Sequence, residues 1–213
     1  LYLYSSLGHI KNLFHFANLA KTNWAEAVSL YYSDRFIELL TGSDSSYRTL
    51  YRGLSAQQGN EQCLDEFLVA VKKKERIFYQ VKQQTFRLGE VREEVYKEIE
   101  LEKNSWGYVA GTVSTEAPFI RLEKTSFIDD DFIGAVCKIP FYIDVEELHS
   151  GRNYGTISIE TSNTKIDVAV EADYTYLPVQ KNENYFWKEK LAALFRMYLS
   201  FRMGKKTKEE WIQ

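Results

Sequence analysis

The sequence predicts a multidomain α+β protein with three parts. These are an N-terminal helical subdomain over residues 1–75, an immunoglobulin-like antiparallel β-sandwich over residues 76–178 and a C-terminal helical segment over residues 179–213. Apolar residues recur at helical spacing up to about residue 74, alternate with polar residues from Arg76, and return to helical spacing after Pro178. The change of hydrophobic period from 3.6 to 2 and back marks the two boundaries.

Four helices are predicted in the first part. The second begins at Asn23, which forms a capping-box-like pair with Glu26, and its apolar face continues to Leu40. Asp44 is a suitable cap for the third helix. Short helices joined by short loops predict a bundle-like or orthogonal arrangement. The cleanest apolar stripe belongs to the fourth helix and consists of Leu64, Phe67, Leu68 and Val71.

Between Ile77 and Val170 the sequence predicts seven or eight short strands. Turn signals such as Ser150-Gly151 and Ser162-Asn163 separate them, and no helix fits in the gaps, which excludes the crossovers of a parallel sheet. The strand number and the length of about 100 residues favour a sandwich over a barrel. The strongest alternation is that of Cys137, Ile139, Phe141 and Ile143.

The last part predicts one long helix from about Glu183 to Met203, followed by a glycine stop at Gly204. A helix with such a broad apolar face has to bury it against the sandwich, the first subdomain or a neighbouring chain. The stripe consists of Trp187, Leu191, Leu194, Phe195, Tyr198 and Leu199.

Composition and charge exclude several classes of protein. A hydrophobic content of 45% with 27% charged residues is ordinary for a folded globular chain and argues against disorder. The net charge of −3 gives no sequence-wide attraction for nucleic acid or for an anionic membrane. No apolar run approaches the roughly 20 residues that span a bilayer. We therefore expect neither nucleic acid nor membrane as a partner.

The cysteines and the chain ends bear on cellular location. Cys63 lies in a helical pattern and Cys137 in a strand pattern, so two buried free thiols are favoured over a disulfide. Free thiols favour a reducing compartment, and the cytoplasm is the favoured location. The chain begins with Leu1 and ends after a capping-box pair, Thr207 and Glu210. We interpret it as an excised fragment, so a missing leader stays open.

Histidines and acidic residues are the first candidates for chemistry. His9 and His15 are six residues apart on one helix and face different sides, so they cannot chelate one metal, while His149 lies at a turn. The run from Asp129 to Asp131 lacks the spaced ligands of a calcium loop, which favours a solvated loop over a cation site. An acidic-site hydrolase would require this run to converge with His149.

Other catalytic patterns do not occur. The serines lack a nucleophile elbow, Cys137 lies in a strand expected to be buried, and no glycine-rich phosphate loop is present. The basic run from Lys72 to Lys74 complements the dipole at the end of a helix. We therefore predict no enzyme activity, no catalytic residue, no metal site and no cofactor. The clustered aromatic residues Tyr174, Tyr176, Tyr185, Phe186 and Trp187 predict a packed junction in preference to a sugar-stacking platform.

Several segments resemble an uncharacterised family of large bacterial proteins from gut Firmicutes. The matching segments are Leu101–Val109, Asp130–Gly134, Leu148–Gly155 and Tyr198–Met203, together with Glu210-Trp211. The family has no established activity to carry over. The resemblance implies an immunoglobulin-like module placed ahead of a long helical-repeat region.

The function that follows is a non-catalytic protein-interaction or scaffolding module of a larger bacterial protein. Its contact surface is expected to be an exposed sheet edge or the apolar helix stripe, and its partner another protein or the remainder of its own chain. The alternative is a carbohydrate-binding β-sandwich module that uses exposed aromatic residues.

Overall fold

The computed structural model describes residues 10–41, 45–57, 59–175 and 183–204, with side chains of the last range described from Lys190 onward. The chain divides after Tyr174 into two compact units. The first holds short helices followed by two β-sheets, and the second holds the C-terminal helix. The predicted α+β class is confirmed. The boundary predicted at residue 76 stays a prediction, and the one at residue 178 lies outside the described residues.

Asparagine side chains cap the N-termini of three of the described helices. Asn23 accepts a hydrogen bond from the Glu26 backbone N–H at 3.1 Å, and its own amide donates to the Glu26 carboxylate at 3.1 Å, which confirms the predicted pair. Asn12 and Asn60 cap in the same way. The helices are α1 (Leu13–Thr22), α2 (Trp24–Tyr31), α3 (Arg35–Leu39), α4 (Ser45–Leu54), α5 (Glu61–Ala70) and α6 (Glu183–Arg202).

The predicted second helix is in fact two helices, since α2 ends at Tyr31 and α3 begins at Arg35. The hydroxyl of Ser33 donates to the Leu30 carbonyl at 2.7 Å and so competes with the helix backbone. The Tyr32 hydroxyl donates to the carbonyls of Gln57 and Asn60 at 3.0 and 2.7 Å. Both interactions hold the chain in a turn that the apolar spacing could not reveal.

Aromatic rings dominate the core of the helical part. Phe36 is fully buried, and its ring centroid lies 4.7 Å from Phe16, 5.0 Å from Tyr31, 4.9 Å from Tyr51 and 5.5 Å from Phe67. Edge-to-face and tilted pairs at these distances are favourable beyond their burial. This aromatic cluster fixes α1–α5 around one centre.

Two five-stranded sheets follow. One has the order β1-β3-β8-β5, with β7 also paired to β8, and the other has the order β2-β10-β9-β4-β6. Every pairing is antiparallel except that of β2 with β10. The strands are β1 (Tyr79–Val81), β2 (Thr85–Glu90), β3 (Val95–Lys103), β4 (Ala110–Thr115), β5 (Ile120–Leu122), β6 (Ser126–Ile128), β7 (Phe132–Ile133), β8 (Val136–Ile143), β9 (Gly151–Thr161) and β10 (Lys165–Tyr174).

One hydrophobic core unites the two sheets. Alternate residues of β8 point inward, as the sequence predicted, and they meet Ile157, Ile159, Val168 and Val170 from the other sheet. The short strands β6 and β7 were not predicted, because stretches of three and two residues carry no measurable alternation. Within the described part of the chain, no helix is both long and apolar enough to cross a lipid bilayer.

A buried ion pair connects the helical part to the sandwich. The Lys74 ammonium is fully buried and pairs with Asp65 of α5, which also accepts a hydrogen bond from the Tyr108 backbone N–H at 3.0 Å. Gly107 has a φ of 130°, and a Cβ there would collide with both charged groups. We call these four residues the Lys74–Asp65 junction. Lys74, the last residue of the basic run from Lys72 to Lys74, is therefore held in a buried ion pair with Asp65.

Candidate functional site

The histidines singled out from the sequence do not form a site among the described residues. His15 is exposed on α1, and His149 is exposed in the loop before β9. His9 lies outside the described residues. The part of the chain that the structure describes contains no group of three or more His, Cys, Asp or Glu side chains that could hold a metal ion.

The aspartate run has structural roles. Residues Asp129–Asp131 form a 3-10 turn in which the Asp131 carboxylate accepts a hydrogen bond from the Ile128 backbone N–H at 2.8 Å. The Lys124 ammonium and this N–H lower the pKa of Asp131. Asp129 pairs with Lys103. The turn and His149 line different clefts, so they do not converge as an acidic hydrolase would require.

Both cysteines are buried free thiols, as the sequence predicted. Burial raises the pKa of Cys137, which keeps this thiol protonated and unreactive at neutral pH. Neither thiol is a candidate nucleophile.

The C-terminal helix carries a row of exposed apolar side chains. Leu191 is 70% exposed and Phe195 61% exposed, although aliphatic and aromatic side chains of this size are usually buried in a folded protein. The spacing of three and four residues places the row along one face of the helix. We call this row, within the described residues, the α6 stripe: Leu191, Leu194, Phe195, Tyr198, Leu199 and Met203.

A second candidate surface is a groove of about 900 Å³ along the outer face of β9, which we call the β9 groove. One wall is formed by residues 114–119 and the other by outward side chains of β9. Tyr154 is one of these outward side chains and is 64% exposed. An exposed ring beside polar side chains is the usual arrangement for stacking a flat ligand face.

The backbone around this groove is fixed by inward-facing residues of β9. Buried Asn153 accepts a hydrogen bond from the His149 N–H at 2.9 Å and donates to the His149 carbonyl at 2.8 Å. A Cβ at Gly155 would lie 2.6 Å from Ile120 Cδ1 and 2.9 Å from Phe119 Cζ. Glycine at position 155 therefore allows the segment of residues 117–120 to pack closely against β9. The groove is preformed for these two reasons.

Polar groups line the rest of the groove. Arg152 contacts the Tyr154 hydroxyl and Asp173, and both contacts raise the pKa of the Arg152 guanidinium. Ser158 donates to Asp167 at 2.6 Å. Among the described residues, the Ser114 side chain has no hydrogen-bond partner, so it can serve a ligand. The Glu116 carboxylate also lines the groove, where it attracts the Lys165 ammonium and helps to raise the pKa of Lys165.

Sequence reasoning missed Tyr154 as a candidate. The alternation along β9 could have revealed it, because Tyr154 occupies an outward-facing position of this strand. The outward residues Arg152, Tyr154, Thr156 and Ser158 alternate with the inward residues Asn153, Gly155 and Ile157. Of the aromatic residues that were singled out, Tyr174 packs against the sandwich core. Tyr176 lies outside the described residues, as do the side chains of Tyr185, Phe186 and Trp187.

A family model described as "Family of unknown function (DUF5717) N-terminal" matches residues 1–213. This match agrees with the resemblance to an uncharacterised family. A comparison with curated proteins finds no match.

Similarity to solved structures is low. A protein of unknown function from Porphyromonas gingivalis W83 is 15% identical with a TM-score of 0.35, over 46% of this chain and 46% of that chain. The Vibrio cholerae VesB protease is 11% identical with a TM-score of 0.30, over 54% and 39%. An endo-beta-1,4-mannanase from Thermotoga petrophila is 12% identical with a TM-score of 0.26, over 54% and 23%. The chain spans less than half the length of each, and these similarities carry no functional argument.

Proposed function

The chain belongs to the DUF5717 N-terminal family of unknown function, and we propose that it is a non-catalytic protein-interaction module. The observation that carries the proposal is the α6 stripe, a contiguous row of apolar side chains exposed along one helix face. Isolated exposed apolar residues are common, but a contiguous row is typical of a protein-binding surface. Two buried thiols support a reducing compartment such as the cytoplasm as its location.

The stripe is a better contact surface than a sheet edge. Of the outer strands, β1, β5 and β6 have three residues each and β2 has six. Three-residue edges offer few backbone groups to an added strand, and β2 alone among these four offers more. The helix instead presents anchors at the spacing that a groove or a second helix recognises.

Charge indicates the chemistry of the partner. From residue 190 to residue 202, the helix carries Lys190, Arg196 and Arg202 and no acidic residue. We therefore propose a partner protein that offers an apolar surface bordered by carboxylates. Charge pairs at the rim would set orientation and association rate, while the apolar contacts supply the affinity.

A photo-crosslinking amino acid at position 195 is expected to form one discrete adduct in the native host. Leu191→Lys in the same chain is expected to abolish the adduct, because a charge on the stripe prevents apolar docking. The readout is mass spectrometry of the adduct, with the crosslinker at Thr112, on the sandwich surface, as the matched control.

The identity of the crosslinked peptide decides the outcome. An apolar segment with flanking carboxylates in another protein supports the proposal. An adduct within the same polypeptide would assign the helix to internal packing and contradict an interaction role, as would the same adducts from both positions.

The strand order supports an immunoglobulin-like assignment for the sandwich. When the outer strands β2 and β6 and the two-residue β7 are set aside, the remaining seven strands can be lettered A to G along the chain. They then form the sheets A-B-E-D and G-F-C, the arrangement of the constant-type domain. Folds of this type present binding surfaces of many kinds, so the assignment is compatible with an interaction role without specifying one.

A carbohydrate-binding role is the second candidate, and the β9 groove favours it. The exposed Tyr154 ring offers a face for a pyranose, and Ser114 and Glu116 offer hydrogen-bonding groups for its hydroxyls. The groove volume of about 900 Å³ lies within the range of small-molecule sites.

On a glycan array, the purified chain is expected to bind at least one neutral oligosaccharide. Tyr154→Ala should reduce that binding about tenfold, because the loss of a single stacked nucleobase on an aromatic ring costs roughly 1–3 kcal/mol and a stacked pyranose is expected to lie near the lower end of that range. Tyr96→Ala, which removes a half-exposed ring from the opposite sheet, is the matched control. Equal losses for the two variants, or an array without signal, would exclude this role.

A further inference from the structure

A cleft of about 550 Å³ lies where the helices meet the sandwich, and we call it the seam cleft. Its walls come from the end of α1, the starts of α2 and α5, the loop between β3 and β4, and the turn after β6. All of these belong to the first compact unit. Clefts of roughly 300–1,000 Å³ at the junction of two substructures are common ligand sites.

Three aromatic side chains line the seam cleft. They are Trp24, Trp106 and Tyr108. The indole N–H of Trp24 donates to the Glu61 carboxylate at 2.7 Å, which fixes the orientation of the ring. Both tryptophans are half-buried and pack on the aromatic core of the helices. The ring positions are therefore set by packing before any ligand arrives.

Carboxylates outnumber basic groups in the same cleft. Glu61, Asp129 and Asp130 line it together with a single basic residue, Lys21. Asp129 is paired with Lys103. Asp130 is exposed and has no hydrogen-bond or ion-pair partner among the described residues. This carboxylate is thus free to pair with a ligand.

One ring of the cleft wall already interacts with a cation of the protein itself. The Lys74 ammonium lies 5.3 Å from the centroid of the Trp106 ring, within the range of a cation–π interaction. The Lys74–Asp65 junction also holds the chain at Gly107 and Tyr108 in place. The wall of the cleft therefore combines a rigid backbone with rings suited to a cation.

We propose that the seam cleft binds an organic cation with an alkylammonium group, supplied by a free amine or by the lysine side chain of a peptide. The methylene chain packs against the faces of Trp24 and Trp106, and the ammonium group pairs with Asp130. Indole rings beside a carboxylate select such ligands because they offer apolar surface and negative potential at once. The proposed site uses no residue of the α6 stripe and does not depend on the proposed interaction role.

The test is an NMR titration of the whole chain at constant ionic strength. The probes are n-butylammonium for a free amine and the peptide acetyl-Gly-Lys-Gly-amide for a lysine side chain, with n-butanol and the Nε-acetylated peptide as neutral controls. The indole N–H signals of Trp24 and Trp106, assigned from Trp→Phe variants, are expected to shift in a saturable way with at least one cationic probe. Whichever cationic probe binds more tightly identifies the source of the ligand.

Asp130→Asn is expected to weaken binding of the cationic probe about threefold to fivefold, as the loss of one partly exposed ion pair should. Because Asp130 is exposed and unpaired, this variant is expected to fold like the original chain. Glu93→Gln, in a different acidic cleft, removes the same charge and is the matched control, expected to bind unchanged.

Three results would overturn the proposal. One is a titration without saturation for both cationic probes. Another is equal binding of the neutral controls, which would show that the cleft recognises only apolar bulk. The third is an equal loss of affinity in Asp130→Asn and Glu93→Gln, which would reduce the effect to net charge.

Discussion

Replacing Lys74 with alanine is expected to lower the free energy of unfolding by about 3–5 kcal/mol, the range for breaking a buried ion pair. The Lys74 side chain is fully buried, and its partner Asp65 is 14% exposed. Without the ammonium group, the Tyr108 N–H is the one hydrogen-bond partner that the described residues leave to the Asp65 carboxylate, in a largely dry environment. Urea denaturation followed by circular dichroism measures the loss.

A variant without either charge tests whether the unpaired carboxylate causes the loss of stability in Lys74→Ala. In the double variant Lys74→Met with Asp65→Asn, the amide oxygen can still accept the Tyr108 N–H, and no uncompensated charge remains. Burial lowers the pKa of Lys74, so desolvation already opposes the charged pair, and an apolar replacement is tolerated. The double variant is expected to recover most of the stability. If it is as unstable as Lys74→Ala, the loss comes from packing and not from the charge.

Phe36→Ala is expected to lower the free energy of unfolding by about 3–5 kcal/mol, because it leaves a cavity that the surrounding rings cannot fill. The ring of Phe36 is fully buried and is in contact with Phe16, Tyr31, Tyr51 and Phe67. The same urea experiment measures the effect, and loss of the near-ultraviolet circular dichroism signal reports on the aromatic packing.

Tyr31→Phe provides the matched control within the same aromatic cluster. The Tyr31 hydroxyl is buried without a hydrogen-bond partner among the described residues, and an unsatisfied buried hydroxyl is destabilising. Its removal is expected to leave stability unchanged or to raise it by about 1 kcal/mol. A loss below about 1 kcal/mol for Phe36→Ala would show that this cluster does not hold the helices together. A large loss for Tyr31→Phe would show instead that the Tyr31 hydroxyl has a favourable partner.

Candidate sites were harder to predict from the sequence than helices and strands, because each site combines residues that are far apart in the chain. The seam cleft combines Trp24, Trp106 and Asp130, and no spacing rule connects these positions. Tyr154 in the β9 groove was accessible in principle, since it alternates outward on a strand whose inward residues were recognised. The α6 stripe was predicted as apolar, but whether it is exposed or buried depends on what packs beside it.

The sequence by itself determined the helix cap at Asn23, the change from helical to strand period and the burial of both cysteines. These follow from local hydrogen bonding and from which side chains leave water, and both operate over a few residues. The tertiary structure decided the break between α2 and α3, the strands β6 and β7, and the use of Lys74 in a buried pair. The break and the buried pair depend on partners distant in sequence, Asn60 for Tyr32 and Tyr108 for Asp65. The strands β6 and β7 are defined by their pairing with β4 and β8, because they are too short to show an alternation of their own. Local pattern carries no information about such partners, because it is the packing of whole elements that brings them together.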